Sequence, residues 1–210
     1  MRYFFFFAIL ISACSPDTQG DVVTPSASEP QSTVTKPQAS GQLFIIGGGK
    51  LHVPLMQAMV EEGGIAKTDL IVVIPAASEE PDTAIYYDSM PFLEMGYTNV
   101  KPLRLSAADS LGGTRVDSLM MAKGIFLCGG DQSRLMAVIG QPKILGKLHE
   151  AYREGAVIGG TSAGAAVMSA IMITGDQKKE PDYESTYRRL KTNNGMYAQG
   201  TGLFANGIID

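Results

Sequence analysis

The chain has 210 residues, a formal net charge of −4 and no tryptophan. That length supports one α/β domain with a sizeable core. The acidic balance and an aromatic content of 8% exclude the basic, base-stacking surfaces that nucleic-acid binding requires.

The first residues read as an export signal. Arg2 gives a short positive region, and Tyr3 to Ile11 form an apolar stretch too short to span a bilayer. Ile11-Ser12-Ala13-Cys14 resembles a bacterial lipobox, with residues 1–13 removed and Cys14 lipidated as the mature N-terminus. A plain cleavable signal peptide with an incidental cysteine is the alternative, and either reading exports the domain. Residues 14–41 are rich in Ser, Thr, Pro, Gln and Ala, so they cannot bury a core and read as a solvated tether. The domain is expected over residues 42–210. Once Cys14 is acylated, Cys128 is the remaining thiol, no intrachain disulfide forms, and Cys128 reads as a buried structural residue.

From Gln42 onward the pattern is α/β. Leu43 to Ile46 is an apolar strand ending in Gly47-Gly48-Gly49. Leu55, Met56, Met59 and Val60 fall on one helical face, and Gly63-Gly64 stops that helix. Further strands are expected at Asp69–Ile74, Val100–Leu105, Ile125–Cys128 and Ala156–Ile158. Helices are expected over 82–95 (interrupted by Pro91), 114–122, Ser133–Ile139, Ile144–Glu154 and Ala163–Ala170. Short, continuously apolar strands separated by helices predict a predominantly parallel sheet covered on both faces. Functional sites in such sheets lie at the C-terminal strand edge, where the glycine turns after Ile46, Cys128 and Ile158 fall.

Gly160-Thr161-Ser162-Ala163-Gly164 follows the last of these strands and fits the G-x-S-x-G nucleophile elbow. A serine on so sharp a turn needs neighbours without side chains. The alternative is a tight βα turn with a buried serine. Gly129-Gly130-Asp131-Gln132 follows another strand at the same edge. A backbone N–H from its glycines, with that of Ala163, would serve as an oxyanion hole. Gln132 either recognises a substrate amide or carboxylate, or is a solvated residue beside an Asp131 helix cap. Gly47-Gly48-Gly49 does not satisfy G-x-G-x-x-G, because His52 holds the last glycine position, so a dinucleotide site is not expected. The two histidines, His52 and His149, both precede Ser162, whereas the base of elbow enzymes follows it. His149, between charged neighbours in a helix, is expected to face solvent. Two distant histidines and one usable cysteine provide no metal cluster.

Phe126-Leu127-Cys128-Gly129-Gly130-Asp131-Gln132 together with Gly159-Gly160-Thr161-Ser162-Ala163-Gly164-Ala165-Ala166 resembles the cyanophycinase branch of the serine peptidases that also include aspartyl dipeptidase. Ile45 to Gly49, Ile74 to Ser78, and Gly200 to Leu203 leading to Ile208-Ile209-Asp210 extend the likeness over residues 42–210. The resemblance implies a class I glutamine-amidotransferase-like α/β fold, here incomplete at its C-terminus, and hydrolysis at aspartyl residues. Ser162 is then the nucleophile, Gly130 and Ala163 the oxyanion donors, and Gln132 and Asp210 substrate-binding residues. Neither a metal nor a cofactor is required. The family's histidine and glutamate are expected beyond residue 210; Glu180 and Glu184 read as members of a charged loop, and the 210-residue chain is expected to be inactive by itself. Expected partners are cyanophycin or short aspartyl peptides, a membrane through the lipid anchor alone, and a second copy in a homodimer. A non-catalytic surface-binding lipoprotein is the reading from a different class.

Overall fold

Five short runs dominated by Ile, Val, Leu and Phe assemble into one parallel sheet. The computed structural model describes residues 41–112, 114–179 and 192–210; the expected signal peptide, Cys14, the tether to residue 40, Glu180 and Glu184 lie outside the described residues. The strands are β1 (Gln42–Ile46), β2 (Ile71–Ile74), β3 (Val100–Pro102), β4 (Gly124–Leu127) and β5 (Val157–Thr161), in the order β1-β5-β4-β2-β3. Every pairing in this sheet is parallel. The central strands β2, β4 and β5 are buried at every position, which is why they read as unbroken apolar runs.

Helices α1 (Val53–Glu62) and α2 (Pro81–Glu94) cover one face. There Met56, Met59, Val60 and Phe92 pack on Ile71, Val73, Phe126 and Val157. Helices α3 (Ser118–Met121), α4 (Gln132–Ile139), α5 (Pro142–Arg153) and α6 (Ala163–Ala166) cover the other. There Leu119, Leu135, Ile144 and Leu148 meet Val72, Ile74, Ile125, Leu127 and Ile158. Proline opens α2 and α5 at the first helical position, where its missing N–H costs nothing. Gly64, at φ +59°, closes α1 as expected: its N–H donates to the Glu61 carbonyl and that of Ile65 to Val60.

Four elements are shorter than the sequence suggests. β2 begins at Ile71 rather than Asp69. β3 ends at Pro102 rather than Leu105, because an edge strand with a proline soon loses its ladder. Helix 114–122 reduces to Ser118–Met121. Helix 163–170 ends at Ala166, because the Val167 and Met168 carbonyls are taken by the N–H groups of Thr201 (2.7 Å) and Phe204 (2.8 Å). Conversely, α2 runs through Pro91, which sits in its last turn and leaves only the carbonyl of the exposed Tyr87 without its helical donor. A 3-10 helix over Ala107–Ser110 follows β3, and an antiparallel ribbon of β6 (Ile171–Gln177) and β7 (Gly195–Gln199) completes the described elements.

Candidate active site

Ser162 sits between β5 and α6 with φ 52° and ψ −114°. Asn193 is the other non-glycine residue with positive φ among those described. Such a conformation costs roughly 1–3 kcal/mol and persists only where the surroundings enforce it. The enforcing contacts are visible. The Ser162 N–H donates to the Ile46 carbonyl of β1 at 2.9 Å, and the Ser162 carbonyl accepts from Ala165 and Ala166, both at 2.9 Å. The glycines of the motif are sterically required. A Cβ on Gly160 would lie 2.4 Å from the Gly164 carbonyl oxygen, and one on Gly164 would lie 2.1 Å from that of Leu127. Thr161 and Ala163 are buried while Ser162 is exposed. The serine therefore stands clear of the sheet, which excludes a buried turn serine.

The other two glycine turns flank it. A Cβ on Gly48 would sit 3.5 Å from the Ser162 Cβ, and one on Gly129 would sit at the same distance. Gly130 (φ +139°) could carry no side chain, because a Cβ there would lie 2.3 Å from the Ala77 oxygen.

A pocket of about 240 Å³ opens over the serine, lined by Gly47, Gln132, Ser162, Ala163, Ala165, Ala166, Ile173, Ile209 and Asp210. Four residues singled out by sequence, Gln132, Ser162, Ala163 and Asp210, thus meet in one cavity; Gly130 is not in its lining. Gln132 opens α4 behind the Asp131 cap, whose carboxylate accepts from the Arg134 N–H at 2.7 Å. Gln132 is half-buried rather than solvated, and its amide donates to the Ile173 carbonyl of β6 at 3.0 Å. Asp210 reaches the pocket because residues 200–210 fold back along the chain after α6. The Ile209 N–H donates to the Ser169 hydroxyl at 2.8 Å.

The histidines lie elsewhere. His149 does not face solvent freely: it is half-buried, and its Nε2 lies 2.7 Å from the Thr201 carbonyl. A carbonyl only accepts, so Nε2 carries the proton there. His52 is exposed at the start of α1. Among the described residues the Ser162 hydroxyl has no hydrogen-bond partner, and neither histidine is bonded to it.

A second, larger cavity of about 560 Å³ lies between the turn Gly49–Val53 and α2. Sequence reasoning gave it no role. Its α2 wall includes Asp88, half-buried and beside the buried Cys128 thiol. Burial holds the Asp88 carboxyl above the ordinary aspartate value, and the thiol partly offsets this. Burial likewise pushes the Cys128 thiol far up, helped by the neighbouring Asp88 charge, so this cysteine is inert.

A doubly covered parallel sheet with a serine on a strained strand-to-helix turn defines an α/β protein of the nucleophile-elbow class. The model for Peptidase family S51 matches residues 43–193, and the chain belongs to that family. It is 34% identical over 178 residues to a cyanophycinase of Synechococcus elongatus, covering 81% of this chain and 52% of that protein. It is 32% identical over 180 residues to a cyanophycinase of a Nostoc species, covering 83% and 57%. The crystal structure of a peptidase from an acI-B1 actinobacterium superposes with a TM-score of 0.57 at 19% identity, over 80% of this chain and 66% of that one, a likeness of fold. The chain spans about half the length of the curated relatives it matches.

Proposed function

We propose that this chain carries the nucleophile of a serine peptidase acting on aspartyl peptides, with cyanophycin as the polymeric substrate. One observation carries the reading: Ser162 is held exposed in a strained turn, at the floor of a pocket shared with Gln132, Ala163 and Asp210. Ser162 Oγ attacks the carbonyl carbon of an aspartyl residue. Its proton passes to a base that neither His52 nor His149 supplies in this arrangement. The N–H of Ala163, at the first position of α6, holds the developing oxyanion together with one from the Gly129-Gly130 turn, whose Gly129 lies against Ser162. The amine leaves with a proton, an acyl-enzyme remains, and water releases the acid and restores Ser162. Gln132 and Asp210 hold the substrate's polar groups.

The test uses a fluorophosphonate probe and the full-length protein. Ser162 should be labelled, Ser162→Ala should not, and β-aspartyl-arginine should be released from cyanophycin faster than products from short α-linked aspartyl peptides. Preference for the short peptides would make it a dipeptidase. An unlabelled Ser162 would favour the non-catalytic binding reading.

A further inference from the structure

The turn at residues 47–49 is a wall shared by two cavities. Gly47 lines the pocket over Ser162, and Gly49 lines the larger cavity against α2. Between them Gly48 lies against the serine itself. A chain bound across Ser162 therefore has a second, roomier compartment one short turn away.

The polar groups of that compartment are sorted by wall. Lys50 and His52 stand on the turn side; Asp88 and Glu94 stand on α2. Among the described residues none of these is in an ion pair. Asp88 is half-buried beside the Cys128 thiol, a weak donor, so most of the carboxylate's accepting capacity is unused. Tyr86 and Tyr87 contribute two exposed rings, 57% and 66% accessible, edge to face with centroids 5.2 Å apart. Consecutive exposed tyrosines contribute nothing to the core. Rings beside an underused carboxylate offer a cation both a counter-charge and π-faces. Lys50 repels a cation from the opposite wall and directs it to α2.

We propose that this cavity is a subsite for the cationic side chain of the bound peptide, with Asp88 as its counter-charge and Tyr86 and Tyr87 as its stacking surface. The assignment rests on Ser162 being the attacking residue, since the glycine turn is what joins the subsite to the scissile bond. A planar guanidinium uses both the carboxylate and the rings, whereas an alkylammonium uses mainly the carboxylate.

Binding of N-acetyl-arginine amide, N-acetyl-lysine amide and N-acetyl-citrulline amide to the full-length protein tests this by NMR titration. Arginine should bind about tenfold more tightly than its neutral isostere citrulline, a ratio typical of one charge-assisted contact. Asp88→Asn should bring that ratio close to one, and Tyr87→Ala should weaken arginine more than lysine. Should Asp88→Asn fail to fold, Glu94→Gln, exposed on the same wall, should lower the ratio part of the way. Equal binding of arginine and citrulline, or a ratio unchanged in the folded variants, overturns the proposal. Fluorophosphonate labelling separates the two readings. A labelled Ser162 without cation preference removes the subsite and leaves the peptidase; a cation preference dependent on Asp88 with an unlabelled Ser162 does the reverse.

Discussion

At the residue scale, Ser162 stores strain that a purely structural turn would not keep. Its φ of 52° is one that glycine adopts freely and a residue with a Cβ does not. Ser162→Gly should therefore stabilise the fold by about 1 kcal/mol, whereas Ser162→Ala keeps the Cβ and should change stability little. Urea midpoints of the two variants check this, and equal midpoints would show that the turn is unstrained. The motif was readable because both flanking glycines answer to backbone atoms: the Gly164 and Leu127 carbonyls leave no room for Cβ at residues 160 and 164. Asp88 was not readable. Nothing in its local sequence shows that a helical carboxylate will face a cysteine at the end of a strand forty residues on.

At the element scale, the central strands declared themselves through continuous apolar runs, and α1 through its periodicity and its glycine stop. The ribbon β6–β7 did not. Its strands mix exposed polar and apolar positions, break register between Ile173 and Gln177 around Gly175 (φ +88°), and pair across distant sequence. The run Ile171-Met172-Ile173-Thr174 was the one β signal available. What ties this ribbon to the domain at the pocket is the hydrogen bond from Gln132 to the Ile173 carbonyl. Gln132→Leu removes that donor and should cost about 1 kcal/mol locally, raising the opening rate of β6 amides roughly fivefold. Hydrogen exchange should show faster exchange near Ile173 with β4 and β5 unchanged. Slowing confined to the core strands, or no change in β6, would place the ribbon's anchor elsewhere.

At the scale of the whole molecule, the sheet edge gathers what lies far apart in sequence: turns 47–49 and 129–130, the elbow, and Asp210 delivered by the returning segment. Sequence likeness marked these residues, but the geometry behind Asp210, a backbone zipper from Thr201 and Phe204 onto Val167 and Met168, has no local signature. Global stability should also carry the imprint of Asp88. Its folded pKa is raised by burial, so the folded state holds a proton that the unfolded chain has released. Its contribution therefore falls as pH rises from the ordinary value of 3.8 towards the raised folded value, and then levels off. Asp88→Asn removes that loss, so urea unfolding across the acid-to-neutral range should show the variant gaining on the native protein as pH rises. Parallel curves would show that Asp88 is well solvated. Asp109 acts in the opposite sense: hydrogen bonds from the Ser106 hydroxyl and N–H hold its carboxyl low, so its contribution is lost as pH falls. The exit of β4 carries a last consequence. Consecutive residues of a strand turn to opposite faces, and Cys128 and Gly129 directly follow the last residue of β4. Cys128 faces α2 and backs Asp88, while Gly129 lies against Ser162. One strand thus acts as a common ruler for both cavities. A substitution alters one and spares the other, but a single residue inserted into Gly124–Leu127 would misalign both at once. Family members should therefore diversify these cavities separately while the length of this strand stays fixed.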